Sequence, residues 1–151
     1  DGDLDLYVAN DYGRNCLYRN DNGRFTNVAK IAGVEDIASG MSACWGDYDR
    51  NGYMDIYIAN MFSAAGNRIT FQRKFQPGMS SPTKTLLQRA ARGNSLFANS
   101  GDGTFVDVTV DAAVTMGRWG WGSLFVDLNN DGWEDLVVAN GFLTSEDSGD
   151  L

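Results

Sequence analysis

Short runs of β-branched and aromatic residues, broken by Asp-, Asn- and Gly-rich stretches, recur along the chain. Ile56-Tyr57-Ile58-Ala59-Asn60 returns as Leu136-Val137-Val138-Ala139-Asn140, and Leu6-Tyr7-Val8-Ala9-Asn10 is an earlier copy. Runs this short and of this composition predict strands rather than helices. Leu4 to Ala9 is nearly continuous in apolar residues, which predicts a strand buried on both faces. Cys16 to Arg19 and Phe25 to Val28 predict two more strands, with Asp21-Asn22-Gly23 as the hairpin turn between them. Ala29 to Gly40 has no clear periodicity. Met41 to Gly46 and Met54 to Ala59 predict the next pair. Ser95 to Ala98 and Phe105 to Val108 then repeat the earlier hairpin around Gly101-Asp102-Gly103, and Trp119 to Val126 with Leu136 to Ala139 form the last pair.

The repeating unit is thus a meander of four short strands, the unit from which propellers are built. Strands occur in groups of three, four and two, which predicts an all-β fold: a fragment of a β-propeller with four-stranded antiparallel blades. Residues 1–40 read as a partial blade lacking its first strand. Residues 41–118 read as a full blade with an insertion at 61–93, and 119–151 as the start of the next. The insertion is foreign in composition. It carries Arg68, Arg73, Lys74, Lys84, Arg89 and Arg92 and no acid. Ser81 with Pro82 behind it predicts a helix start, and Gly93 a stop. Its cations either offer a partner site or complement the carboxylates of their own blades, and the second reading is preferred.

Between the first and second strands of each unit lies an acidic loop. Asp47-Tyr48-Asp49-Arg50-Asn51-Gly52-Tyr53-Met54-Asp55 recurs as Asp127-Leu128-Asn129-Asn130-Asp131-Gly132-Trp133-Glu134-Asp135, and Asp1-Gly2-Asp3-Leu4-Asp5 matches its second half. Oxygen-bearing side chains at loop positions 1, 3, 5 and 9, with glycine at 6, aim several hard donors into one turn, as a calcium ion requires. The candidate donors are Asp47, Asp49, Asn51, Asp55 and the Tyr53 carbonyl in the second loop. In the third they are Asp127, Asn129, Asp131, Asp135 and the Trp133 carbonyl. Asp1, the Asp3 carbonyl and Asp5 remain in the first. An EF-hand needs a bidentate Glu at position 12 and a following helix. Ile58 and Val138 stand there instead, so these are strand-loop-strand sites. The competing reading is a set of Asx turns that hold no metal.

Twelve basic against twenty acidic residues give a net charge of −8. This argues against nucleic acid as the partner and suits divalent cations. The absence of histidine removes Ser-His, Cys-His and zinc-histidine chemistry from the chain. Cys16 and Cys44 are too few for a disulfide framework and read as small buried strand residues. No apolar run is long enough for a transmembrane helix. Trp45, Trp119, Trp121, Trp133 and Phe125 read as core aromatics, with sugar stacking as the alternative. Gly120-Trp121-Gly122-Ser123 precedes a strand rather than a helix, which argues against phosphate binding.

The Asp-x-Asp-x-Asn-Gly-x-x-Asp loop followed by Ile-Tyr-Ile-Ala-Asn resembles the FG-GAP or VCBS repeats of integrin-α-type propellers. Asn94 to Asn99, Gly101 to Thr109 and Trp119-Gly120-Trp121-Gly122 are similar to the cartilage acidic protein (ASPIC/UnbV) group. The resemblance implies a seven-bladed ring, calcium in the blade loops on the side chains named above, and an extracellular, cell-surface or periplasmic location. A Phe-Gly-Gly-Ala-Pro string is absent, so integrin-like ligand recognition is not implied. The expected function is non-enzymatic binding or adhesion to an extracellular protein or glycan. The alternatives are a propeller attached to a carbohydrate-active enzyme and a glycan-binding module.

Overall fold

The computed structural model describes residues 2–141, so the candidate donor Asp1 and residues 142–151 lie outside the described residues. Among the described residues, strands fall into three antiparallel sheets, each ordered as in the sequence. The first holds β1 (Leu6–Val8), β2 (Cys16–Asp21) and β3 (Arg24–Asn27). The second holds β4 (Gly40–Gly46), β5 (Asp55–Asn60), β6 (Ser95–Asn99) and β7 (Phe105–Asp107). The third pairs β8 (Gly120–Val126) with β9 (Asp135–Asn140). The four-stranded meander and its all-β character are as the repeat pattern predicts.

Local chemistry repeats with the sheets. Asn22 and Gly23, both at positive φ (55° and 85°), form the two-residue turn that joins β2 to β3. That backbone twist matches the twist of paired strands. A register shift between Gly40 and Ser42 in the β4–β5 pair recurs between Gly120 and Gly122 in β8–β9. Asn10, Asn60 and Asn140, the second residue of each repeated Ala-Asn pair, donate side-chain N–H groups to the carbonyls of Arg14, Gly93 and Gly117.

The sheets stack face to face, and β5 lies in the middle. Ile56 and Ile58 join Tyr7, Leu17, Val34 and Phe97 in the core toward the first sheet. Tyr57 and Ala59 turn the other way and pack with Leu96, Phe125, Leu136 and Val138. Alternate side chains of one strand thus enter two different cores, which the two-residue period of a strand allows. Every residue of β5 is buried. Across the second interface the Ser42 and Ser123 hydroxyls lie 3.0 Å apart, and Ser42 Oγ accepts the Ser123 backbone N–H at 3.0 Å.

The expectation for Leu4 to Ala9 fails in part. The strand covers Leu6 to Val8 only, Leu4 is 87% exposed, and Leu6 is exposed as well. Only the face carrying Tyr7 meets a neighbouring sheet among the described residues, whereas β5 is covered on both sides. Cys16 and Cys44 are free, as expected, but half-buried rather than buried. Cys44 sits at the margin of the second core. The stretch from Ala29 to Gly40 contains a one-turn helix, α1 (Ala29–Ala32), closed by Gly33 in the left-handed region.

The insertion is a helical pair, α2 (Ala64–Thr70) and α3 (Ser81–Arg92). Ser63 caps α2, which the sequence reading missed. The cap of α3 is Ser80 rather than Ser81, with Ser80 Oγ accepting the Thr83 N–H. Two of the insertion's six cations, Arg89 and Arg92, complement the chain's own carboxylates, as the preferred reading has it. Arg92 Nη2 lies 3.0 Å from Asp107 Oδ2, and Arg89 Nη2 lies 3.2 Å from the same oxygen. Arg89 Nε is 3.7 Å from Asp36, a fully buried carboxylate that also accepts from Ser95 Oγ and Asn60 Nδ2.

Partial burial pushes the Asp107 carboxyl up, but Thr109, Arg92 and Arg89 together outweigh it and hold it below the usual carboxylate range. A carboxyl lowered on folding stabilises above its unfolded value of about 3.9 and loses that contribution as pH falls through its folded value. Unfolding free energy should therefore decline below about pH 4, and Asp107→Asn should flatten that part of the profile. Chemical denaturation across pH 2 to 6 (roughly the window in which carboxylates titrate) measures both.

Candidate metal centre

The two complete loops fold by one hydrogen-bond scheme. In the second loop, Asp47 Oδ1 and Oδ2 accept the backbone N–H groups of Asn51 and Gly52, both at 2.9 Å. Asp49 Oδ1 also accepts from Asn51 N–H at 3.2 Å, and Asn51 Oδ1 accepts from Tyr53 N–H at 2.8 Å. Asp55 Oδ2 accepts from Tyr48 N–H at 3.0 Å, closing the loop from position 9 back to position 2. In the third loop Asp127 accepts from Asp131 and Gly132, Asn129 from Asp131, Asp131 from Trp133, and Asp135 from Leu128. The side chains at positions 1, 3, 5 and 9 are thereby turned inward. Gly52 at φ 86° and Gly132 at φ 85° supply the left-handed backbone at position 6 that a side chain would strain.

Among the described residues, Asp47, Asp49 and Asp55 form the one acidic group whose ligand oxygens all lie within 4.8 Å of one another. Oxygens bound at about 2.4 Å to a common calcium ion stand at most about 4.8 Å apart, so this separation matches a shared hard cation. The donors are all oxygen, and each carboxylate oxygen keeps a lone pair beyond the N–H group it accepts. The residues fit the ion. The third loop repeats the hydrogen bonds without forming such an acidic triad. Its position 3 is Asn129 and its position 5 is Asp131, the reverse of Asp49 and Asn51.

Asp55 ties the loop to the core. It is fully buried at the start of β5, and burial pushes its carboxyl up, with Asp49 and Asp47 adding repulsion. Backbone N–H groups from Asn99 and Tyr48 act in the opposite direction. The Asn99 N–H lies 2.8 Å from Asp55 Oδ1, and Asn99 Nδ2 donates to the Met54 carbonyl at 3.0 Å. The first loop repeats both contacts: Asn20 N–H donates to Asp5 Oδ1 at 2.9 Å and Asn20 Nδ2 to the Leu4 carbonyl at 3.1 Å. Asn20 and Asn99 were missed as loop residues. Their signal was the aligned strand pair Cys16 to Asn20 and Ser95 to Asn99. Asp3, whose carbonyl is the remaining candidate donor of the first loop, accepts the Asn22 N–H through its side chain at 2.7 Å.

Three tryptophans read as core are not core. Trp119, Trp121 and Trp133 are each more than two-fifths exposed, and only Trp45 packs at the first core, with the Phe105 ring 6.5 Å away. Trp121 donates its indole N–H to the Gly141 carbonyl at 2.7 Å, and Arg50 lies over the Trp133 ring. A cleft of about 560 Å³ opens beside the second loop, with Leu17, Trp45 and Phe105 in its lining and Asp5, Arg19 and Asn99 supplying polar groups.

Residues 1–58 and 86–138 match the model of a family described as FG-GAP-like repeat. The unmatched gap covers all of α2 and the first turn of α3. No curated protein matches the chain.

Substituting the anchor should separate folding from ion binding. Asp55→Ala leaves two backbone N–H groups without an acceptor and should cost at least about 2 kcal/mol even with a chelator present. Asp49→Asn keeps an acceptor on an exposed loop and should change stability by less than about 0.5 kcal/mol under the same conditions. Urea denaturation in chelator checks both values.

Proposed function

Because the chain belongs to the FG-GAP-like repeat family, a β-propeller type of module, we propose that it is a non-enzymatic, calcium-stabilised part of a larger propeller that binds a protein or ligand outside the cell. The observation that carries the calcium reading is the grouping of Asp47, Asp49 and Asp55 within 4.8 Å, in a loop whose hydrogen bonds recur at Asp127, Asn129, Asp131 and Asp135. Carboxylates gathered this closely repel one another, and a divalent cation removes that repulsion where two core strands meet. The ion's contribution on this reading is to pin the loop, and no catalytic position is assigned to it.

The binding and adhesion role, the grouping with the ASPIC/UnbV proteins and the extracellular, cell-surface or periplasmic location belong to the same proposal and rest on the resemblance. Extracellular calcium modules commonly have dissociation constants on the order of 0.1–1 mM, so such sites fill only where free calcium is that high. No helix among the described residues is long and apolar enough to cross a membrane. A second reading, a glycan-binding module, is favoured by one feature: the cleft beside the second loop joins aromatic walls to Asp5, Arg19 and Asn99.

Calcium titration calorimetry should give about two equivalents per chain, and saturating calcium should raise the melting temperature by a few degrees. Asp127→Asn keeps a backbone acceptor while removing a charge, and should shrink that rise. A folded chain that binds no calcium and melts at one temperature with or without it would defeat the calcium reading.

A further inference from the structure

The second and third loops touch each other next to their candidate donors. Glu134 Oε2 accepts the backbone N–H of Asp47 at 2.9 Å, joining position 8 of one loop to position 1 of the other. The Arg50 guanidinium lies over the Trp133 ring, 4.9 Å from its centroid. Asp47 is the residue whose carboxylate holds the Asn51 and Gly52 amides. Glu134 stands between Trp133 and Asp135, both candidate donors of the third loop. The close approach depends on Gly46, where a Cβ would run into Glu134 and the Phe125 ring. The bridge is particular to this pair of loops. Met54 and Leu4 stand where Glu134 does in the other two copies and carry no acceptor, and Asn130 replaces Arg50 in the third loop.

We infer that Glu134 is a positioning residue for the second loop, and that the two loops take up cations as a positively coupled pair. This rests on the calcium reading above. A cation in the third loop fixes the backbone from Trp133 to Asp135, and with it the carboxylate that holds Asp47. The second loop then has less freedom left to lose when its own cation enters. Coupling between two binding sites is reciprocal, so filling the second loop favours the third by the same factor.

The test titrates calcium by calorimetry into the full 151-residue chain and its Glu134→Ala, Glu134→Gln and Asp127→Asn variants, with melting curves in chelator as the folding control. The wild-type chain should bind two ions cooperatively. Asp127→Asn should leave one site, weakened on the order of tenfold relative to its coupled value. Glu134→Ala should still bind two ions, but independently, with the second loop at the affinity it shows in Asp127→Asn. Glu134→Gln keeps the acceptor and should restore cooperativity. If Glu134→Ala titrates like the wild type, the coupling is overturned and the calcium reading stands. If the folded wild-type chain binds no calcium, both fall.

Discussion

Asp55 joins two things a β-structure ordinarily keeps apart, a dry core strand and a solvated acidic loop. It is the first residue of β5 and fully buried, yet its carboxylate faces Asp47 and Asp49. Two backbone N–H groups, from Tyr48 and Asn99, compensate the burial of that charge. One bond closes the loop on itself and the other ties it to β6. The loop's shape is therefore set by the same residue that begins the most buried strand, and any change in the loop is felt at the contact between sheets.

Beyond Asp55, β5 sends Ile56 and Ile58 into one core and Tyr57 and Ala59 into the other. A strand of this kind has no solvent face to spare, so its stability comes from the sheets stacked on either side, as in other repeat architectures. The insertion obeys the same constraint differently. Its helices add little apolar contact with the blades, and α3 is anchored by Arg89 and Arg92 on Asp107, with Asp36 close by. A cationic excursion on an acidic scaffold can be accommodated this way without disturbing the meander from which it departs.

Much of this was legible in the chain because repetition turns weak local signals into strong ones. The acidic loop, with oxygen donors at positions 1, 3, 5 and 9 and glycine at 6, occurs in two complete copies, and the structure answers with the same backbone hydrogen bonds in both. Part of what escaped lies outside the repeat or between repeats. One turn of helix at Ala29–Ala32 and seven residues at Ala64–Thr70 are too short to show a 3.6-residue period. Trp121 looks like a core residue in a strand pattern, and only the stacking of the sheets reveals its exposed side. Glu134 and Asp47 stand in different repeats, so no spacing rule within one repeat could have paired them.

Sensitised terbium luminescence reads ion binding at the loops themselves, because an aromatic residue, Tyr53 or Trp133, occupies position 7 of each complete loop. Terbium is a hard, oxygen-seeking ion of nearly calcium's size and emits strongly only when bound close to an excited ring. Bound terbium should emit on excitation of the aromatic rings, and that emission should be displaced by added calcium and weakened in both Asp127→Asn and Asp49→Asn. A folded chain that shows no sensitised emission, or emission that calcium does not displace, would leave the loops as hydrogen-bonded turns alone.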